Sequence, residues 1–211
     1  MTVRGSRFQL ALDSPPPITW GYWVLDRLFL AGAYPSSLDL SEHRTKVSSL
    51  LEAGIRTFIN LTEPAEKGRN GQPFVDYRST VEELTASRAE KPRCLRYAIR
   101  DQWIPTPQVM TDILDCIDAS LAGHRPVFVH CWGGVGRTGT VVGCWLMRHG
   151  LATPEAVLSI LERLRQQDCE RGHRRAPENN AQCRFVWDWL DCDRAPRSVS
   201  PPVSRRAHHA Q

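Results

Sequence analysis

Val127-Phe128-Val129-His130-Cys131-Trp132-Gly133-Gly134-Val135-Gly136-Arg137-Thr138-Gly139-Thr140-Val141-Val142 decides the fold of this chain. The run up to His130 is apolar and β-branched, which predicts a buried strand. Cys131 and a glycine-rich turn follow, then Arg137 and Thr138. The apolar segment Val141–Met147 continues too far for a strand end and predicts a buried helix. Strand, glycine loop and helix start together form an anion cradle. Gly133, Gly134 and Gly136 let consecutive backbone N–H groups converge. The helix N-terminus adds unpaired donors and positive potential.

Two side chains make this cradle reactive. Cys131 stands at its mouth, where converging N–H groups and a helix start favour the thiolate. Arg137 is a planar fork able to hold two oxygens of one phosphate. Thr138 is placed to donate its hydroxyl to the sulfur. His130 is expected to tune the loop through hydrogen bonds and not to act as the base. Working outward, Cys94–Ile99 predicts a short strand that ends in the loop Arg100-Asp101-Gln102-Trp103-Ile104-Pro105. A carboxylic acid on such a loop can protonate a leaving oxygen, and Asp101 is the candidate.

His130-Cys131, five residues, then Arg137-Thr138 resembles the phosphate-binding loop of the cysteine-dependent protein tyrosine phosphatases. The chain is similar to their small dual-specificity branch in its compact bacterial form. Ala31-Gly32-Ala33-Tyr34-Pro35 resembles a turn of that family, and Asp101 with Pro105 resembles its general-acid loop. The resemblance implies a single α/β domain with a central, mainly parallel sheet of four or five strands and helices on both faces, the site lying at the carboxyl ends of the strands. It implies Cys131, Arg137, Asp101 and Thr138 as catalytic residues. His130, Trp132, Gly133, Gly134, Val135 and Gly136 would bind substrate. Pro177-Glu178 with Gln182 resembles the start of the last helix in some of these enzymes, which offers Asn180 or Gln182 for orienting the attacking water.

The activity implied is hydrolysis of phosphate monoesters through a cysteinyl-phosphate, on phosphotyrosine and also phosphoserine or phosphothreonine proteins. Other readings stay open. Neutral Trp132 and Val135 disfavour an inositide preference without closing it, and inositol polyphosphates stay open. A rhodanese-like sulfurtransferase also places a cysteine in an anion loop. An inactive phosphate-binding module would keep the loop without turnover.

The chain's 211 residues suit one domain, with a formal charge of +4 and seven cysteines. The cysteines are odd in number and form no C-x-x-C pair, which argues against a disulfide framework or a zinc site. No metal or cofactor is expected, and a reducing cytoplasm is. Nothing in the charge pattern points to nucleic acid, no apolar run reaches membrane-span length, and residues 1–12 do not read as a signal peptide.

Residues 1–17 read as a flexible lead-in, 18–192 as the domain and 193–211 as a disordered basic tail. Trp20–Leu30 reads as an entry hairpin or strand sending Leu28, Phe29 and Leu30 into the core. Ser41 is expected to cap a helix ended by Gly54, followed by a buried strand within 55–61. Residues 62–74 read as a surface loop whose Lys67 and Arg69 could meet substrate, and 75–86 as a short helix. Thr106-Pro107 begins a helix that ends at Gly123. Thr153-Pro154 begins another, after a turn at His149-Gly150. The arginines of 163–175 read as solvated. The last helix is expected to bury Ala181, Phe185 and Trp189.

Overall fold

The computed structural model describes residues 8–68 and 71–194. In chain order these form β1 (Gly21–Leu25), β2 (Phe29–Gly32), α1 (Leu40–Glu52), β3 (Thr57–Asn60), α2 (Arg78–Leu84), β4 (Arg93–Arg96), α3 (Pro107–Ala122), β5 (Val127–His130), α4 (Gly136–Arg148), α5 (Val157–Arg165), α6 (Asn180–Trp187) and α7 (Trp189–Arg194). The strands make one sheet in the order β1-β2-β5-β3-β4. Within this sheet β1 and β2 form an antiparallel hairpin, and the pairs β2–β5, β5–β3 and β3–β4 are parallel. The expected α/β architecture is therefore the observed one.

Side-chain alternation along the strands splits the core in two. Trp23, Leu30, Phe58 and Phe128 pack with Val47, Leu50 and Leu51 of α1 and Val81 of α2. Tyr22, Phe29, Ile59, Val127 and Val129 face the other way, onto α3, α4 and α5. Strand β5 is central: His130 lies in register with Gly32 on one side and Asn60 on the other. This places the segment after His130 at the carboxyl edge of the sheet, between two other strand ends.

Helix α4 runs through the middle of the second layer, and every residue from Gly136 to Met147 is buried. Such a helix has no polar face because neighbours enclose it on all sides. Its far end is tied by charge. Arg148 meets Asp193 (2.5 Å), Asp115 (2.7 Å) and Asp118 (3.5 Å), and so joins α4 to α3 and α7.

Several local expectations shift. Asp39, not Ser41, caps α1, accepting from the Glu42 N–H at 2.8 Å. Both residue types cap well, and Ser41 falls inside the first turn. Leu28 is 42% exposed, because Arg27 takes a left-handed conformation (φ 54°) and turns the hairpin before Phe29. Residues 8–12, read as lead-in, pack on the domain. The Ala11 N–H donates to the Val24 carbonyl (3.1 Å), and the Phe8 ring lies 5.2 Å from that of Trp145. Asp193 likewise belongs to the domain through Arg148. Met1–Arg7 and residues 195–211, the remainder of the two terminal readings, lie outside the described residues, as does Arg69. In α6 the buried residues are Gln182, Cys183 and Val186. Ala181 is exposed, and Trp189 is buried one helix later, in α7. No helix among the described residues is long and apolar enough to cross a membrane.

The close crossing of α4 and α6 depends on Gly143. A methyl group there would stand 2.8 Å from Val186 Cγ1. Gly143→Leu is expected to cost about 1–3 kcal/mol by overpacking, read as a fall of roughly 3–10 °C in the thermal midpoint. A midpoint within 1 °C of the parent would contradict this packing.

Candidate active site

The loop Cys131–Val135 joins β5 to α4 at the carboxyl edge of the sheet. It is held from behind. The Leu61 N–H donates to the His130 carbonyl (2.8 Å) and the Tyr34 N–H to the Trp132 carbonyl (3.0 Å). Gly134 is left-handed (φ 68°), and a Cβ there would lie 2.5 Å from the carbonyl carbon of Gly32, so only glycine fits. The Gly134 carbonyl accepts from Arg165 Nη1 at 2.7 Å. The first helical bond of α4 runs from Gly139 to Val135 (3.1 Å). The amides of Gly136, Arg137 and Thr138 thus precede the helix ladder and are the free donors of a helix start.

The cleft over this loop has a volume of about 160 Å³ and is lined by Cys131, Trp132, Gly133, Val135, Gly136 and Arg137 from the loop and α4. Asp101 and Gln102 close one side, Arg174 and Glu178 another. Cys131 and Arg137 are only 3% and 2% exposed, so they form its floor.

Arg137 is the electrostatic centre. Its Nη1 and Nη2 donate to Glu66 Oε2 (2.6 Å) and Oε1 (2.8 Å), a fork-to-fork pair. Nη1 also donates to the Ile99 carbonyl (3.1 Å), and Asp101 Oδ1 lies 2.9 Å from Nη2. Although burial works against the charge, these carboxylates and the nearby Cys131 hold the guanidinium protonated more firmly than usual. Nε is buried and has no hydrogen-bond partner among the described residues. One donor of the guanidinium is therefore left without a protein acceptor.

Glu66 is fixed by its own loop. Asn60 Oδ1 receives the Thr62 N–H (2.8 Å) and hydroxyl (2.7 Å), and Arg96 Nη1 gathers the Thr62 and Glu63 carbonyls (2.9 and 3.0 Å). The Glu63 N–H donates to Glu66 Oε2 (3.1 Å). The loop read as solvated thus carries an anchor of the cleft floor.

His130 is fully buried and does not line the cleft; it braces the loop from behind. Its Nδ1 stands 3.3 Å from the Cys131 carbonyl, which can only accept, so Nδ1 carries the proton. Nε2 then accepts from the Tyr77 hydroxyl at 2.8 Å. Burial pushes the imidazole pKa down to about 3, so it stays neutral and is no candidate for a proton shuttle. Gly134, too, serves geometry and does not line the cleft.

Thr138 departs from expectation. Its hydroxyl is buried and has no hydrogen-bond partner among the described residues, so the bond to the Cys131 sulfur is not made. Helix α4 is enclosed on every side here. A first-turn hydroxyl that misses the sulfur is left with no protein acceptor among the described residues.

Asp101 is placed as expected, on the loop after β4, with its side chain 49% exposed at the mouth. The next residue, Gln102, is left-handed (φ 63°). Two side chains from the start of α6 hold this turn. Asn179 caps α6, accepting from the Gln182 N–H (3.0 Å), and donates to the Gln102 carbonyl (2.8 Å). Gln182, wholly buried, donates to the Trp103 carbonyl (3.3 Å) and accepts from the Glu178 N–H (3.0 Å). Its amide also covers Gly136, where a Cβ would come within 3.0 Å of Oε1. Gln182 is therefore at the site, spanning loop and acid turn. Asn180 is not; it is exposed and bonded to Arg175 (3.1 Å). The Trp103 ring is 57% exposed beneath the Arg100 guanidinium (4.5 Å), and its backbone carbonyl, not its ring, anchors the loop.

Sequence reading missed Glu66, Tyr77, Arg165, Asn179 and the Arg174–Glu178 pair (2.5 Å) at the rim. Arg165 and Arg174 lie in the run that reads as solvated, yet Arg165 is wholly buried. The one signal that could have found Glu66 is position, because loops at the carboxyl ends of parallel strands converge on the site. Among the described residues no group of three or more His, Cys, Asp or Glu is placed to hold a metal.

Comparison with known proteins agrees with this geometry. The family model described as "Swiss Army Knife protein, DSP-PTPase phosphatase domain" matches residues 33–184. Among curated relatives, the putative tyrosine phosphatase 067L of Invertebrate iridescent virus 3 is 28% identical over 78% of this chain and 62% of its own length. Phosphatidylglycerophosphate phosphatase PTPMT1 of Arabidopsis thaliana is 29% identical over 64% of this chain and 35% of its own. The mouse protein tyrosine phosphatase domain-containing protein 1 is 29% identical over 59% of this chain, and the match spans only 16% of it. Among solved structures, kinase associated phosphatase superposes with a TM-score of 0.60 at 16% identity, covering 88% of this chain and 99% of that one. P. aeruginosa TpbA does so with 0.58 at 15% identity, covering 90% and 97%. The chain belongs to the DSP-PTPase phosphatase domain family, a small dual-specificity-like branch of the cysteine phosphatases.

Proposed function

We propose that this chain hydrolyses phosphate monoesters on proteins, phosphotyrosine first among them, through a cysteinyl-phosphate on Cys131. The observation that carries the reading is the orphaned Arg137 Nε. A buried donor without an acceptor costs roughly 1–3 kcal/mol, and a phosphoryl oxygen over Cys131 would satisfy it.

The chemistry follows from the residues. The Cys131 thiolate attacks phosphorus in line, the P–S bond forms and the P–O bond to the leaving group breaks. Asp101, protonated, gives its proton to the leaving oxygen. Its position at the mouth suits this, because the leaving group stays outside while the phosphoryl group sits on the floor. In the second step water attacks phosphorus, Asp101 takes the proton, and the thiolate and inorganic phosphate are released. The loop amides and Arg137 stabilise the charge spread over the phosphoryl oxygens in both steps. Gln182 lies next to Gly136, but its amide is wholly buried and already engaged with two backbone groups. The relative that acts on phosphatidylglycerophosphate supports a second reading, a lipid headgroup as substrate. The neutral side chains of Trp132 and Val135 weigh against a polyanionic headgroup.

The deciding assay is p-nitrophenyl phosphate hydrolysis in EDTA. The parent is expected to turn over and Cys131→Ser to be inactive. Asp101→Asn is expected to lose about 10²–10⁴-fold in kcat, the usual worth of a positioned acid. An active Cys131→Ser would overturn the mechanism.

The acid turn generates a separate expectation. Asn179→Ala removes the bond to the Gln102 carbonyl but leaves Cys131 and Arg137 untouched. We expect kcat to fall about tenfold, the effect of a mispositioned acid, with KM within twofold and with the competitive inhibition by inorganic phosphate retained. A rise in KM with kcat unchanged would show that Asn179 serves binding instead.

A further inference from the structure

A second pocket, of about 350 Å³, opens beside the catalytic cleft. Trp132 lines both, so the two cavities meet at one residue. The pocket is coupled to the catalytic loop through the bond from the Tyr34 N–H to the Trp132 carbonyl (3.0 Å). Its far wall is aromatic: Tyr34 and Phe74 stack with centroids 4.6 Å apart and planes at 20°, and Trp20 lies beyond. Two cations stand on the lining. Lys46 Nζ lies 5.8 Å over the Trp20 ring and pairs with the exposed Glu42 (2.9 Å). Arg171 stands 3.9 Å from Glu170. The hydroxyls of Ser36 and Ser37 complete the rim. The chemistry of catalysis uses none of these groups.

Resting on the reading of a protein substrate, we infer that this pocket is a specificity subsite for an aromatic side chain of a phosphopeptide, with an acidic residue beside it. The argument is one of continuity and composition. A single shared residue sets the two cavities next to each other, so the occupant sits within a residue or two of the phosphorylated one. Stacked rings offer the offset and edge-on contacts that aromatic side chains prefer. Lys46 and Arg171 complement a carboxylate at the rim, and Glu170 tempers that charge. The volume is at the small end of the roughly 300–1,000 Å³ of ligand pockets. Its lining of rings, hydroxyls and cations suits one peptide side chain better than acyl chains, which need a long apolar trough.

The test uses phosphotyrosine peptides that carry Phe-Glu or Ala-Ala next to the phosphotyrosine, on either side, with the full chain and two variants. One partly buried aromatic anchor is worth over 1 kcal/mol at an interface, and so kcat/KM for the better-placed Phe-Glu peptide is expected to exceed the Ala-Ala value by about tenfold. The ratio should fall towards one in Ser37→Trp, which fills the pocket, and drop in Lys46→Glu, which reverses the rim charge. Because it is a ratio within one protein, it is insensitive to the amount folded. Equal values for the two peptides in the parent overturn the subsite while leaving the phosphatase reading intact. So does a preference that survives in both variants. Turnover of a short-chain phosphatidylinositol phosphate and p-nitrophenyl phosphate, with neither peptide hydrolysed, overturns the protein substrate and the subsite with it.

Discussion

Burying a guanidinium at the floor of a cleft sets the terms for everything around it. Taking such a charge out of water costs several kcal/mol, and the cost must be met locally by partners of good geometry. Arg137 is met on its outer edge by Glu66 and the Ile99 carbonyl, and Asp101 shares Nη2. The partners come from two loops, after β3 and β4, while Arg137 itself follows β5. The sheet order brings those loops side by side, because β3 lies between β5 and β4. The pairing both neutralises the charge and aims the fork, leaving Nε turned toward no protein acceptor.

The shape of the loop is a second constraint, and carbonyl control resolves it. An anion cradle works only if N–H groups point in and C=O groups point out. Three carbonyls are held outward by named donors: that of Cys131 by His130 Nδ1, that of Trp132 by the Tyr34 N–H, and that of Gly134 by Arg165. Arg165 is itself wholly buried. It gives its other η nitrogen to the Arg171 carbonyl (2.6 Å), lies 5.5 Å over the Tyr22 ring, and has no ion-paired carboxylate among the described residues. Its positive charge stands behind the catalytic loop, with the buried Asp168 carboxylate acting on the same Tyr22 hydroxyl. A field of positive sign favours a phosphoryl group in front of it.

These two constraints explain what the sequence discloses. The β5–loop–α4 unit is legible because its signals are contiguous: a β-branched run, three glycines, then an apolar helix. Helix α3 is legible because Thr106 and Pro107 are adjacent start signals, and Asp101 because a strand and a proline bracket it. Glu66 is 71 residues from Arg137, Tyr77 is 53 from His130, and Asn179 is 77 from Gln102. Such pairings leave no local pattern. They arise from sheet order, which a linear reading does not contain. Arg165 and Arg174 were hidden differently, since an arginine in a charged run looks solvated until its neighbours are known. Leu28 failed for the opposite reason: an apolar residue beside a turn carries a core signature, although the left-handed Arg27 rotates it outward.

The depth profile of the cleft joins chemistry to substrate choice. Cys131 and Arg137 are nearly inaccessible while the Asp101 side chain is half exposed, so nucleophile and acid differ in level along one axis. In-line displacement demands this arrangement, with attack from below and departure upward. It also means that the group carrying the phosphate must extend past Asp101 and Trp132 before it meets the rest of the surface. Discrimination between esters is then decided less by the floor, which sees only a phosphoryl group, than by what the pocket beyond Trp132 allows. A cleft of about 160 Å³ has little room to be selective on its own. The aromatic pocket next door, with a different chemistry and its own charges, has that room. Catalysis and the inferred recognition thus meet at one residue, Trp132. The loop that positions the nucleophile also positions the wall against which the remainder of the substrate is read.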